Sequence, residues 1–121
     1  MCNSPHPNRF SKQDRLLSAK DFQAVFAKPI KSADSLYTVL ASPNELSSPR
    51  LGVIVSKKNV AKASARNRLK RIVRESFRTH KHMINAFDVV VICKQRSAAM
   101  VNEELFKKLD KHWMRISSHA E

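Results

Sequence analysis

Between Lys57 and His82 the chain alternates two demands that few structures satisfy together. The segment holds ten Lys/Arg side chains (Lys57, Lys58, Lys62, Arg66, Arg68, Lys70, Arg71, Arg74, Arg78 and Lys81) and one acid, Glu75. At about 100° per residue, Ala65, Leu69, Ile72, Val73, Ser76 and Phe77 fall on one side. The segment from the mid-sixties to about His80 is therefore expected to be a long helix that packs through one stripe only. Its remaining surface must stay in water or meet negative charge. The rest of the chain has to supply a single apolar platform for that stripe.

The remaining sequence offers such a platform. Asp88–Lys94 contains an unbroken Val-Val-Val-Ile, which reads as a central strand covered on both faces. Leu36–Ala41 is rich in β-formers. Its period of two sets Tyr37, Val39 and Ala41 on one face and Leu36, Thr38 and Leu40 on the other. Ser42–Pro49 is turn-forming, and Arg50–Ser56 is a further strand; an antiparallel hairpin of these two strands is expected. The connection from Arg50–Ser56 through the long helix to Asp88–Lys94 is long enough for a parallel crossover. A short helix opening at Ser18 is expected, with Asp21 completing a capping pair and Ala19, Phe22, Val25 and Phe26 at helical spacing before Pro29. A last helix is expected from Asn102, as cap, to Ser117, with Leu105, Leu109, Trp113 and Ile116 as its stripe. Tyr37, Val39, Phe77, Phe87, Leu109 and Trp113 are assigned to the core. Helices packed on a small sheet in this order make an α+β domain.

Length and composition agree with one domain. The chain has 121 residues and 42% hydrophobic content, enough for one core. Residues 1–14 are expected to be a flexible arm, and residues 15–121 the domain. The longest apolar run, Val89–Cys93, is far short of the ~20 residues of a membrane span. The N-terminus lacks an apolar signal core, and Cys2 and Cys93 make no disulfide framework. A cytoplasmic location is expected. Cys93 reads as a small buried hydrophobe and Cys2 as a mobile thiol.

Formal charge is +13, and the Lys57–His82 segment carries +9 of it. A charge run by itself marks only a solvated helix face. Here like charges recur at i,i+4 (Arg66, Lys70, Arg74, Arg78) and oppose folding by roughly 0.2–0.5 kcal/mol per pair, so a polyanionic partner is the better explanation. A membrane surface fits poorly, because the modest apolar stripe is needed by the sheet. From Arg66 to Arg78 there are five Arg and one Lys, which favours bidentate phosphate recognition. No zinc-ligand spacing and no helix-turn-helix pair is present, and an Arg-rich helix on a mixed sheet suits folded RNA read by shape.

The order and identity of these residues are more specific than their charge. Arg66-Asn67-Arg68, then Leu69-Lys70-Arg71, then Arg74-Glu75-Ser76-Phe77-Arg78, closely resembles the signature of the bacterial ribonuclease P protein component family. So do Arg15-Leu16-Leu17 leading to Asp21-Phe22-Gln23-Ala24-Val25-Phe26, and Pro49-Arg50-Leu51-Gly52-Val53 leading to Val55-Ser56-Lys57-Lys58. Asp88-Val89-Val90-Val91 and a final helix with Trp113 complete the match, from about Phe10 to Ile116. The resemblance implies a fold like domain 2 of ribosomal protein S5, in the order α-β-β-β-α-β-α. It also implies a left-handed βαβ crossover, the opposite of the hand found in about 98% of such units.

The resemblance implies function as well. The protein would bind a large catalytic RNA, the ribonuclease P RNA, and the complex would remove the 5′ leader of precursor tRNA by hydrolysis. The RNA and substrate would hold the catalytic Mg²⁺. Arg66, Asn67, Arg68, Lys70, Arg71, Arg74 and Lys62 would contact the RNA subunit. Phe22, Phe26, Thr38, Leu40, Lys57 and Lys58 would meet the single-stranded leader, in a cleft between the first helix and the sheet face of Leu36, Thr38 and Leu40. Aromatics beside a basic groove suit single strands, since stacking adds ~1–3 kcal/mol per base. Without the resemblance, Phe22 and Phe26 at i,i+4 would be assigned to the core. No protein catalytic or metal residue is assigned: the acids are scattered, His80 and His82 at i,i+2 do not share a helix face, and His112 is placed at the edge of its packed face. No Ser/His/Asp or Cys/His pairing is legible. No membrane and no obligate protein partner are expected. The alternative is a stand-alone basic RNA-binding or ribosomal structural protein of the same fold, which needs the basic helix without the aromatic cleft.

Overall fold

The strand with apolar residues on both faces is the one that the sheet is built around. In the computed structural model, which describes residues 19–27, 29–44, 48–84 and 87–118, β4 (Phe87–Cys93) is buried along nearly its whole length. It lies inside a four-stranded mixed sheet of order β1-β2-β4-β3. The other strands are β1 (Ile30–Ala33), β2 (Tyr37–Pro43) and β3 (Arg50–Ile54). Three helices complete the domain: α1 (Ala19–Ala27), α2 (Ala63–Thr79) and α3 (Asn102–Ser118), with a 3-10 helix, Gln95–Ala99, between β4 and α3. The Ser18 cap, the 1–14 arm and Cys2 lie outside the described residues.

The expected hairpin of the second and third strands is not formed. Pairing runs antiparallel from β2 to β4 and parallel from β3 to β4, so β4 separates them. The reason is burial: a strand apolar on both faces gains most when neighbours flank both its edges. Pro43 sits opposite Phe87 and Arg50 opposite Asp88, so β2 ends and β3 begins at the same end of β4. A part-buried clip holds that end. Arg50 donates from Nε and Nη2 to the two oxygens of Asp88 at 2.9 and 2.7 Å, and Asn44 Nδ2 donates to Oδ1 at 2.8 Å. The parallel β3–α2–β4 crossover is as expected. β1 pairs antiparallel with β2 from Ile30↔Ala41 to Ala33↔Thr38; its sequence, Ile-Lys-Ser-Ala, has no strong strand signal of its own.

The sheet separates two unequal apolar layers. On one face, Tyr37, Val39, Ala41, Leu51, Val89, Val91 and Cys93 meet the stripes of α2 (Leu69, Ile72, Val73, Phe77) and α3 (Leu105, Leu109, Trp113, Ile116). Leu36 joins this core, not the opposite face, because it precedes β2 and lies outside its alternation. Two contacts lock α3 to α2. Trp113 Nε1 donates to Ser76 Oγ at 2.8 Å, and the Trp113 and Phe77 rings meet edge to face at 6.1 Å. Ser76 thus belongs to the stripe because it satisfies a buried indole N–H. On the other face, α1 seats Val25 against Leu40 and Val90, with Phe22, Ile54 and Ile92 around them.

Asn102 does not act as the expected cap. Leu105 N–H already bonds to Val101 O, so the chain is helical at Asn102. Its side chain instead accepts from Arg68.

Candidate nucleic-acid interface

α2 is amphipathic as its sequence requires: Leu69, Ile72, Val73, Ser76 and Phe77 are buried, and its cations ring the other side. The polar side chains of α2 point in different directions. Asn67, Lys70, Arg71 and Arg74 line one open concavity of about 410 Å³ together with Glu75. Glu75 is turned to Arg78, whose guanidinium donates to it; this hydrogen bond, outweighing the small cost of burial, holds the Glu75 carboxyl below its usual range. Four side chains able to donate hydrogen bonds therefore converge on one surface, the arrangement that follows a phosphate backbone.

Arg66 and Arg68 point elsewhere. Arg66 Nη1 donates to Val60 O at 3.0 Å and Ala61 O at 2.8 Å, bracing the turn that enters α2. Arg68 reaches across to the start of α3. Its Nη2 donates to Met100 O at 2.5 Å and Asn102 Oδ1 at 2.8 Å, and its Nε to the same Oδ1 at 3.0 Å. Successive residues on a helix leave about 100° apart, so Arg66 and Arg68 diverge to either side of Asn67, which lines the concavity. Lys62 precedes α2 as its N-cap residue and is exposed.

The α1 side forms the second surface. Phe22 is half-buried and Phe26 is 43% exposed. With Gln23 and Ile54 they line a shallow apolar concavity of about 380 Å³. Thr38, half-buried, lies in the same row across the sheet as Ile92 and Ile54. Leu40, expected in this cleft, is corrected: it is only 7% exposed, beneath Val25. One helical turn of α1 covers it because Val25 is the helix's inward residue. Lys57 and Lys58 are exposed in the turn just past β3, near the same end of the sheet as Ile54. Ile54 and Gln23 were not legible as site residues; the alternation of β3 was the available signal for Ile54.

Comparisons with known proteins decide the family. The sequence model described as Ribonuclease P matches residues 10–117. The chain belongs to the ribonuclease P protein family. The ribonuclease P protein component of Photobacterium profundum is 47% identical over 108 residues, covering 89% of this chain and 92% of that protein. That of Pseudoalteromonas translucida is 41% identical, covering 92% and 79%. A solved Staphylococcus aureus RNase P protein, a mutant described as defective in mRNA degradation activity, superposes with a TM-score of 0.80 at 33% identity, covering 88% of this chain and 90% of that one. The Thermotoga maritima RNase P protein gives 0.75 at 34% identity, covering 84% and 96%. The four-stranded mixed sheet with three helices is thus that of RNase P proteins.

Within this RNase P protein fold, one polar cluster was not foreseen. Ser32, His112 and Asp34 come together between β1 and α3. Ser32 Oγ lies 2.6 Å from His112 Nδ1, and His112 Nε2 lies 2.8 Å from Asp34 Oδ2. His112 is therefore buried in the packed face, not at its edge. Arg115 Nη1 donates to Ser32 Oγ at 3.2 Å. The hydroxyl hydrogen is thus left for Nδ1, which places the ring proton on Nε2, toward the carboxylate. Burial lowers the His112 pKa and the Asp34 carboxylate only partly opposes it. Burial would raise Asp34, but the Tyr37 and Leu36 amides and His112 outweigh it and hold the carboxyl below its usual range. The order resembles a hydrolase triad, yet Ser32 is 3% exposed. With no room for a substrate at its oxygen, the trio serves to join α3 to the sheet edge. His80 likewise is structural: its Nδ1–H donates to Ser76 O at 2.7 Å, closing α2. Among the described residues no three His, Cys, Asp or Glu side chains gather as a metal site, and no helix is long and apolar enough to cross a membrane.

Proposed function

We propose that this chain is the RNA-binding subunit of a ribonuclease P ribonucleoprotein that removes the 5′ leader from precursor tRNA. The observation that carries it is the pairing of two different surfaces on one small domain. Asn67, Lys70, Arg71 and Arg74 converge on the outer face of α2. Phe22 and Phe26 open an apolar slot on the opposite side of the sheet. A structural RNA binder needs only the first.

In this reading the α2 surface, with Lys62, holds phosphates of the RNA subunit, and the α1 cleft receives the single-stranded leader. Phe26 stacks a base, Thr38 and Ile54 form the floor, and Lys57 and Lys58 neutralise the backbone leaving the slot. The arginines bind by displacing condensed counterions, so assembly weakens as salt rises. The catalytic RNA and substrate hold the Mg²⁺ and carry out hydrolysis; the protein fixes the leader relative to that RNA, converting a loose encounter into a positioned one.

Reconstitution tests this directly. Precursor-tRNA cleavage by the ribonuclease P RNA at low Mg²⁺ is expected to depend on added protein. If the RNA alone cleaves equally well under the same conditions, the chain has no part in leader removal.

A further inference from the structure

β3 and β4 are parallel, so the turn after β3 and the 3-10 helix after β4 emerge at the same end of the sheet. Between them and the first turn of α2 lies an open cavity of about 800 Å³, larger than either surface described above. Its volume is in the range, roughly 300–1,000 Å³, of small-ligand sites. The floor is apolar and made of short side chains: Val60, Ala65, Ala98 and Ala99. Lys62 and Arg96, both exposed, stand at the rim, and neither has an ion-pair partner among the described residues. Gln95, also exposed, adds an amide able to donate and accept.

The walls are held from behind. Arg66 grips Val60 O and Ala61 O. Arg68 fixes Met100 O just past the 3-10 helix. Lys94 Nζ is spent on Asp34 O at 2.6 Å, and Ser97 Oγ donates to Lys94 O at 2.6 Å. The cavity is therefore formed before any ligand arrives. Short side chains let a flat ring approach the backbone closely, and the two rim cations demand anions beside that ring. Apolar floor, amide and paired cations together match one nucleotide: a base inside, its flanking phosphates on Lys62 and Arg96.

We infer that this cavity docks a single unpaired nucleotide of the RNA subunit, a third contact beyond the α2 concavity and the leader cleft. The assignment to the RNA subunit rests on the proposed function and on position, since Lys62 and Ala65 lie at the entrance to the basic helix. It makes Arg66 and Arg68 positioning residues that shape the pocket.

Filling variants test it. Ala99→Leu is at an exposed position and Ala65→Leu at a half-exposed one, and a thermal melt of each checks folding. Each is expected to weaken binding of the ribonuclease P RNA roughly 5- to 100-fold, the span of losing one stacked base. The slope of log K against log[salt] is expected to stay as in the unmodified protein. Lys62→Ala and Arg96→Ala are expected to make that slope shallower by roughly 0.7–0.9 each. Wild-type RNA affinity in both filled variants, alongside weakened binding in Arg71→Ala, overturns the pocket and leaves the proposed function intact. Filled variants that bind the RNA normally but lose precursor tRNA in the assembled complex overturn it too, because the nucleotide then belongs to the substrate. If the unmodified protein does not bind the RNA at all, it is the proposed function that falls.

Discussion

Arg68 sits in the middle of the most basic segment, yet its guanidinium is hydrogen-bonded to the start of α3, and replacing it separates two readings of that segment. In Arg68→Ala, Met100 O loses a charged donor at 2.5 Å and Asn102 Oδ1 loses two. A hydrogen bond from a charged group contributes roughly 1.5–3 kcal/mol. Asn102 is exposed, so water replaces most of its loss, while the part-buried Met100 carbonyl has less access to water. The expected cost is about 2–3 kcal/mol. At about 2.1 cal/mol/K of unfolding entropy per residue, that lowers Tm by roughly 8–12 °C for a domain of this size. Arg68→Lys keeps the charge but not the fork, and is expected to recover less than half. The assay is thermal unfolding by circular dichroism, paired with RNA-subunit binding over a salt series. Arg71→Ala provides the opposite pattern: Tm within about 2 °C, and a salt slope shallower by roughly 0.7–0.9. If Arg68→Ala melts with the unmodified protein while losing salt dependence like Arg71→Ala, Arg68 is a phosphate ligand and the strut argument is wrong.

Two further predictions concern the buried polar groups. Both His112 and Asp34 have lowered pKa values in the fold, so the unfolded chain binds more protons than the native one in acid. Stability is expected to fall as pH drops below about 6.5 toward the lowered His112 value, and again below about 3.8 as Asp34 protonates. His112→Gln is expected to flatten the first limb relative to the unmodified protein in melts from pH 7 to 5, and identical pH slopes would remove His112 from the account. Tyr37 Oη is buried and has no hydrogen-bond partner among the described residues. Tyr37→Phe is therefore expected to be neutral or stabilising by up to about 1 kcal/mol in urea unfolding, and a loss above that would show that the hydroxyl has a partner.

The sequence was most informative where one residue type had one physical use. The α2 stripe, the burial of β4 and the α3 stripe follow from periodicity and from apolar continuity alone. Sheet order did not, because adjacency in sequence suggested a hairpin while burial placed β4 between the two strands. β1 has only Ile30 to mark it, and its pairing is set by β2. At the interface, charge located the basic surface but not the direction of each side chain. Arg66 and Arg68 carry the same chemistry as Arg71 and Arg74; only the nearby carbonyls of Val60, Ala61 and Met100 draw them away from the concavity. The period of two in β2 puts Leu40 on the α1 face, but nothing in the sequence marks Val25 as closing over it. Ser32, Asp34 and His112 are separated by up to 80 positions, and only the packing of α3 on β1 joins them.

In the proposed function the α1 cleft holds the leader while α2 holds the RNA subunit. Equilibrium binding of the assembled complex to precursor tRNA and to mature tRNA lacking the leader measures this most directly, with Phe26→Ala as the variant because Phe26 is 43% exposed and contributes little to the core. Phe26→Ala is expected to weaken precursor binding roughly 5- to 100-fold, leaving mature tRNA binding and RNA-subunit affinity unchanged. Equal loss for both tRNAs, or none for either, would contradict it.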